Sequence, residues 1–313
     1  MAAIASEATT RSVQAVLRGR RVDVRGQIFG AMLLCSLLFS LGVLVVLLTT
    51  IVVGAWPVLS TRGAAFLTSN VSSLPEQTGV RQGLIGSLLL VAIVAVVAIP
   101  LGICAAIYLQ EYARDTRLNR MLIANIRNLA GVPAIVYGIL GLVVFVQALR
   151  SVTGPGVYGR SLLSGGLTLS VLVIPFLVII TMEALRAVPN GIREAAYGVG
   201  ATRWEVIRSH VLPYAAPGVF TGAILSLARA FGETAPLLLV GAVTGYLSYG
   251  SRTPMETLQG NYTALPTQIF DMVRQPGPEW QHVASAAIVV LLAAILVVNL
   301  AAIILRNRYE RKW

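Results

Sequence analysis

Six stretches of the chain are apolar for long enough to cross ~30 Å of hydrocarbon at about 1.5 Å per helical residue. Five of them, 28–55, 84–109, 129–149, 167–182 and 283–305, contain no charged residue. The sixth, 215–243, contains Arg229 and Glu233. The fourth is short as delimited, but the uncharged run around it begins at Ser161. The pattern predicts an all-α polytopic membrane protein with six transmembrane helices. Arginines precede the first span, as in a signal peptide, yet its uncharged run is about twice the usual ~7–15 residues of such a segment and reads as a retained helix.

Between the spans the polar positions predict smaller elements. Residues 115–128 place Leu118, Met121, Leu122 and Ile126 at helical spacing, with Arg117, Arg120 and Arg127 outward, so a short interfacial helix leads into the third span. Residues 56–81 read as a loop of mixed polarity. Residues 245–282 form the longest connection, in which 267–273 predicts one amphipathic turn or two. Pro100 and Gly102 interrupt the second span, Gly131 and Pro133 begin the third, and Pro175 lies inside the fourth. Proline inside a spanning helix bends it and frees a carbonyl.

Charge sets the expected orientation. Hydrophobic residues make up 56% of the chain and charged residues 12%, about half the share in soluble domains. The formal net charge of +11 suggests nucleic acid until its distribution is read. With the connections assigned alternately to two sides, 17 of the 24 Lys and Arg fall on one side, which holds both termini and segments 110–128 and 183–214. The positive-inside rule places that side in the cytoplasm. The expected organisation is a basic cytoplasmic tail over 1–27, a first helix and external loop over 28–79, a transmembrane core over 80–306 and a cytoplasmic tail over 307–313.

Few residues carry chemistry. Arg229 and Glu233, four apart, share a helix face and can pair. Charges inside a span usually face a cavity or a partner. Two readings follow: a salt bridge locking the helix to its neighbours, or a basic group on a wetted path with Glu233 limiting its affinity. On such a path guanidinium suits the oxygens of phosphate or sulfate. Enzyme readings fail. The sole lysine is Lys312, so no GxxxxGK[ST] phosphate loop exists. Cys35 and Cys104 lie in separate spans, and His210 and His282 on opposite sides, leaving no zinc set or nucleophile triad.

The segment Arg193-Glu-Ala-Ala-Tyr-Gly-Val-Gly200, running on to Leu212-Pro213, is expected on the cytoplasmic side. Glu194, Ala195 and Ala196 lie on a short helix whose small residues allow close approach by a partner surface. Gly198 and Gly200 permit a turn into a second short helix, about 202–211, ended by Pro213. Arg203, Glu205 and Arg208 supply polar contacts. This spacing resembles the EAA loop of type I ABC importer permeases, in which the loop over 189–213 grips a separate ATPase. His210 departs from the aliphatic residue usual two places before Leu-Pro. A narrower likeness is carried by Arg229-Ala-Phe-Gly-Glu-Thr-Ala-Pro-Leu-Leu238, by Asn128-Leu-Ala-Gly-Val-Pro-Ala-Ile-Val-Tyr-Gly138, by Leu265-Pro-Thr-Gln-Ile269 and by Asn299. These resemble the PstA family of permeases of bacterial phosphate importers, over roughly residues 80–306.

The resemblance implies a MetI-like permease fold, half of a pore, in the bacterial cytoplasmic membrane. It implies pairing with a PstC-like second permease, two copies of a PstB-like ATPase and a PstS-like extracellular phosphate-binding protein. Arg229, Glu233 and Thr234 would line the substrate path, and Glu194, Ala195, Ala196, Gly200, Arg203, Leu212 and Pro213 would couple to the ATPase. No cofactor is expected in the chain itself, with ATP and Mg on the partner. A permease for sulfate or molybdate would keep the EAA loop without GETAPLL. A stand-alone secondary carrier would commonly show internal repeats and need no ATPase dock, and a non-transporting scaffold would use Arg229 only structurally.

Overall fold

The computed structural model describes residues 24–243, 245, 247 and 253–309. The tail arginines Arg11, Arg18, Arg20 and Arg21, Arg252 and residues 310–313 lie outside the described residues. The described residues are helical, with no strand among them. The chain divides into two compact units, Met1–Thr50 and Ile51–Trp313. In the first, the described part is a single apolar helix, exposed along its whole length. It belongs to α1 (Val24–Thr68), which runs past the expected end at Ala55, through Pro57, to a non-helical joint at Gly63 (φ 44°, ψ −120°). Much of the loop expected from residue 56 is therefore helix.

In the second unit α2 (Arg81–Ile107) continues through Pro100 into a π-helical turn, Tyr108–Tyr112. The interfacial helix α3 (Arg117–Ala130) is present, with the Thr116 hydroxyl accepting from Asn119 N–H at 3.3 Å. The third span is not one helix over 129–149. α3 ends at Ala130, the chain turns through 101°, and α4 (Ala134–Gly141, then π-helical over Leu142–Ala148) sets off in a new direction. Pro133 lacks an N–H and takes an extended ψ of 137°, which ends the helical ladder. The Leu129 carbonyl accepts from Val132 N–H at 3.0 Å and from the Tyr137 hydroxyl at 2.8 Å, which ties the two sides of the bend together. After α5 (Arg150–Thr153), α6 (Leu162–Arg186) is capped by the Ser161 hydroxyl and runs unbroken through Pro175.

The segment expected to couple to a partner follows as α7 (Asn190–Gly198) and α8 (Arg203–Val206). Pro213 does not end this second helix. A π-turn over Ile207–Val211 widens it, Pro213 sits in the first turn beyond, and the helix continues as α9 (Leu212–Gly232). The sixth apolar stretch is also not continuous. Pro236 cannot donate to Gly232, Glu233 is extended (φ −74°, ψ 125°), and a short α10 (Ala235–Val240) restarts the helix. The long connection holds α11 (Pro254–Leu258) and α12 (Leu265–Arg274), more helix than the predicted turn or two, before α13 (Pro278–Tyr309). Among the described residues five helices are long and apolar enough to span a membrane, and the count is six when the bent α3–α4 pair is taken as one broken span.

Glycines set the closest approaches. A Cβ on Gly218 would stand 2.7 Å from Ala184 Cβ, and one on Gly222 would stand 2.6 Å from Ile180, so a small-xxx-small stripe seats α9 on α6. Gly102 lies as tightly under Leu177, and Gly166 under Ile93, joining α2 to α6. The core forms where α2, α4, α6, α9 and α10 meet, around Leu90, Val94, Tyr137, Leu169, Leu172 and Leu237. A second cluster ties α12 to α13 and Phe66 through Leu265, Met272 and Val283.

Candidate translocation and coupling sites

Two places gather the residues singled out in the sequence. The first is the break between α9 and α10. Because the helix stops at Gly232, Arg229 stands in its last turn, not in the middle of a span, and Glu233 lies beyond the helix altogether. They still pair, with Arg229 Nε 3.4 Å from Glu233 Oε1. The guanidinium also lies 5.7 Å from the Phe176 ring centroid on α6, within cation–π range. Their side chains are 35% and 20% exposed, so the pair is neither sealed in the core nor free of it. Thr234, partly buried, presents its carbonyl to Leu238 N–H at 3.2 Å. In the turn before Arg229, the Ser226 hydroxyl is buried without a hydrogen-bond partner among the described residues.

The structure brings the two quoted motifs together at this break. A Cβ on Gly138 would lie 2.7 Å from Pro236 Cα, so the Val-Tyr-Gly turn of α4 seats directly on the Ala-Pro turn of α10. Pro236 and Leu237 are buried there. Neither motif alone reveals this contact; the available signal was their shared excess of Gly and Pro among apolar residues.

The second place is the segment expected to couple, over 189–213. Glu194 and Ala195 are exposed on α7, but Ala196 is buried at 4%, against the expectation that all three positions face outward. Ala196 packs with Leu185, Val188, Val206 and Val211, and Leu212 leans on the same cluster. Gly200 adopts φ +84°, and a Cβ there would meet nothing within 4 Å. Gly200 N–H donates to Tyr197 O at 2.9 Å and Ala201 N–H to Ala196 O at 3.1 Å, the paired bonds of a left-handed helix stop. Thr202 and Glu205 then cap α8 reciprocally, Thr202 N–H donating to Glu205 Oε2 at 2.7 Å. Around the turn Tyr197, Val199 and Trp204 are large, apolar and exposed, Val199 at 86%.

Sequence reasoning gave Arg193 no role, yet it holds this segment to the bundle. Its Nη1 donates to Val188 O at 2.6 Å, and its Nη2 to Leu185 O at 2.8 Å and Glu111 Oε1 at 2.9 Å. Arg203 donates to the Glu111 carbonyl and stacks 5.0 Å from the Tyr112 ring. Glu111 is the acid that directly follows the second uncharged run, at the start of a mainly basic segment, which was its available signal.

Residues 98–313 match the model of the binding-protein-dependent transport system inner membrane component family. The chain belongs to that family: it is the transmembrane permease subunit of an ABC transporter, a multi-pass protein of the cytoplasmic membrane. Among its relatives, the phosphate transport system permease protein PstA 1 of Mycobacterium tuberculosis (strain ATCC 25618 / H37Rv) is 32% identical over 87% of this chain and 84% of its own length. The phosphate transport system permease protein PstC of Mesorhizobium japonicum is 33% identical over 71% of this chain and 73% of its own. Solved structures carry the fold at lower identity. A bacterial alginate ABC transporter chain superposes with a TM-score of 0.64 at 16% identity, covering 92% of this chain and 96% of that one. A chain of the MetNI methionine ABC transporter superposes at 0.56 and 18%, covering 74% and 96%.

Proposed function

We propose that this chain is a PstA-type permease subunit of an ATP-driven inorganic phosphate importer, forming one half of the translocation path. The observation that carries the reading is the Arg229–Glu233 pair, partly exposed at the interrupted end of a spanning helix in a permease of this family. A guanidinium there offers planar donors to a tetrahedral oxyanion. Glu233 competes for it, which weakens binding enough for an ion to leave as well as enter. Arg229, Glu233 and Thr234 form the substrate path.

The other half of the path is a PstC-like permease, and phosphate arrives from a PstS-like extracellular binding protein. Two PstB-like ATPases carry ATP and Mg, and this chain holds no nucleotide site or cofactor of its own. Glu194, Ala195, Gly200 and Arg203 meet the ATPase, with Ala196, Leu212 and Pro213 supporting them from within. The termini are cytoplasmic. The relatives' names and the basic bias of segments 110–128 and 183–214 support these assignments.

The test is uptake of radiolabelled phosphate at low external phosphate in cells lacking this gene and its backup transporters. Complementation by the wild-type chain restores uptake. If phosphate uptake stays absent while sulfate or molybdate uptake returns, the substrate assignment falls and the permease assignment stands.

A further inference from the structure

Beside the coupling helix a polar cleft of about 440 Å³ opens between the ends of α2 and α6, α7 and the start of α8. Gln110, Arg186, Asn190, Arg193, Tyr197 and Arg203 line it, over Glu111. The hydrogen bonds in its walls run one way. Gln110 Oε1 accepts from Arg186 Nε at 3.0 Å, Asn190 Oδ1 from Arg193 at 3.5 Å, and Glu111 Oε1 from Arg193 at 2.9 Å. The guanidinium of Arg186 also meets Glu183 at 3.3 Å. Gln110, Asn190 and Glu111 thus each have an oxygen engaged by an arginine, and apart from Glu111 Oε2 the side-chain groups that remain can donate. Among the described residues no partner takes the second Nη of Arg186, Nε or Nη1 of Arg203, the amide NH₂ groups of Gln110 and Asn190, or the Tyr197 hydroxyl. With Glu183 paired to Arg186 and Glu111 to Arg193, three guanidiniums face two carboxylates, so the cleft stays net positive through Arg203, and Arg186 and Arg203 are exposed.

We infer that this cleft binds a phosphate-type oxyanion at the coupling-loop end of the bundle. A surplus of fixed donors with exposed guanidiniums is the chemistry that recognises phosphate oxygens, and the net positive charge disfavours a cation. The volume admits a phosphate group with several waters at roughly 30 Å³ each. The anion bridges Arg186 on the core helix α6 to Arg203 at the foot of α9 and to Tyr197 on the coupling helix. It therefore fastens the coupling segment to the bundle. Two sources share this chemistry: free phosphate and the headgroup of an anionic phospholipid. The inference rests on the proposed function only in taking this end as cytoplasmic.

The test uses the full-length chain carrying Arg229→Gln, to silence the path, in nanodiscs of phosphatidylcholine. Inorganic phosphate is titrated by calorimetry at ionic strength matched with chloride. The expected result is saturable binding, weakened at least about tenfold by Arg186→Gln with Arg203→Gln, and about three- to tenfold by Tyr197→Phe, which removes one donor and no packing. In discs containing phosphatidylglycerol, loss of phosphate binding, with the lipid retained on the Arg229→Gln chain in native mass spectra and absent from the triple variant, identifies the headgroup as the occupant. Phosphate heats and lipid retention that are equal with and without the two cleft arginines overturn the site. Transport plays no part in the readout, so a chain that binds here yet restores no phosphate uptake counts only against the proposed function.

Discussion

At Gly200 the demand on the residue is purely conformational. A Cβ would meet nothing within 4 Å, but φ is +84°, a region that costs an L residue about 1–2 kcal/mol. Gly200→Val should therefore leave insertion intact and lower the fraction of ATP hydrolysis coupled to uptake, while Gly200→Asn, tolerant of this region, stays close to wild type. Equal coupling in all three chains, measured in proteoliposomes, would remove the turn from the mechanism. Arg229 makes the opposite kind of demand, for its donors and charge. Arg229→Gln keeps length and polarity and should cut phosphate uptake by at least about tenfold, equivalent to ~1.4 kcal/mol of barrier. The same chain should assemble with its partners normally, and lost assembly would make the pair a structural lock instead.

Hydropathy made the spanning helices legible but not where they break. Apolar content is little changed across Gly131–Pro133 and across Gly232–Pro236, so a composition window passes straight through a turn of 101° and an extended Glu233. Proline by itself was ambiguous. Pro100, Pro175, Pro213 and Pro217 all lie inside running helices. The two at these breaks follow a glycine by two and four residues, whereas no glycine lies within four residues before the other four. A glycine lowers helical preference just where the proline removes a ladder bond, which permits a stop without compelling one. Pro57 follows Gly54 by three, and α1 still runs on to Gly63. The expected coupling motif was legible as two short helices about a turn because Gly200 stands between them. Its anchor was not, since Arg193 and Glu111 are far apart in sequence and meet only when α7 folds under α2. That anchor predicts its own phenotype. Arg193→Ala leaves Glu111 unpaired at 10% side-chain exposure and takes the donor from the Val188 carbonyl, while Leu185 O keeps Val188 N–H, a loss of about 2–3 kcal/mol, below the ~3–5 of a fully buried pair because some solvent reaches it. Hydrogen exchange over 190–198 should rise, and adding Glu111→Gln should recover part of the loss. Unchanged exchange in the single variant would mean that packing of Ala196 alone holds the helix.

For the molecule in its membrane, the consequence that matters is which end faces which compartment, because coupling to an ATPase works only from inside. In the proposed topology segments 110–128 and 183–214 are cytoplasmic, on the side the charge bias favours, and the fold brings them to one end through the contacts of Arg193 with Glu111 and of Arg127 with Glu183 at 3.7 Å. Tyr158, 76% exposed in the connection between α5 and α6, lies one span away from that end. Cys35 and Cys104 are the chain's only thiols and both lie in spans, so replacing them by alanine yields a background for single-site labelling. In intact cells a membrane-impermeant maleimide should label Tyr158→Cys, whereas Val199→Cys should react only after permeabilisation. Labelling of position 199 from outside would invert the topology. It would also remove the coupling segment from the compartment where ATP is found, leaving the chain without a driving partner.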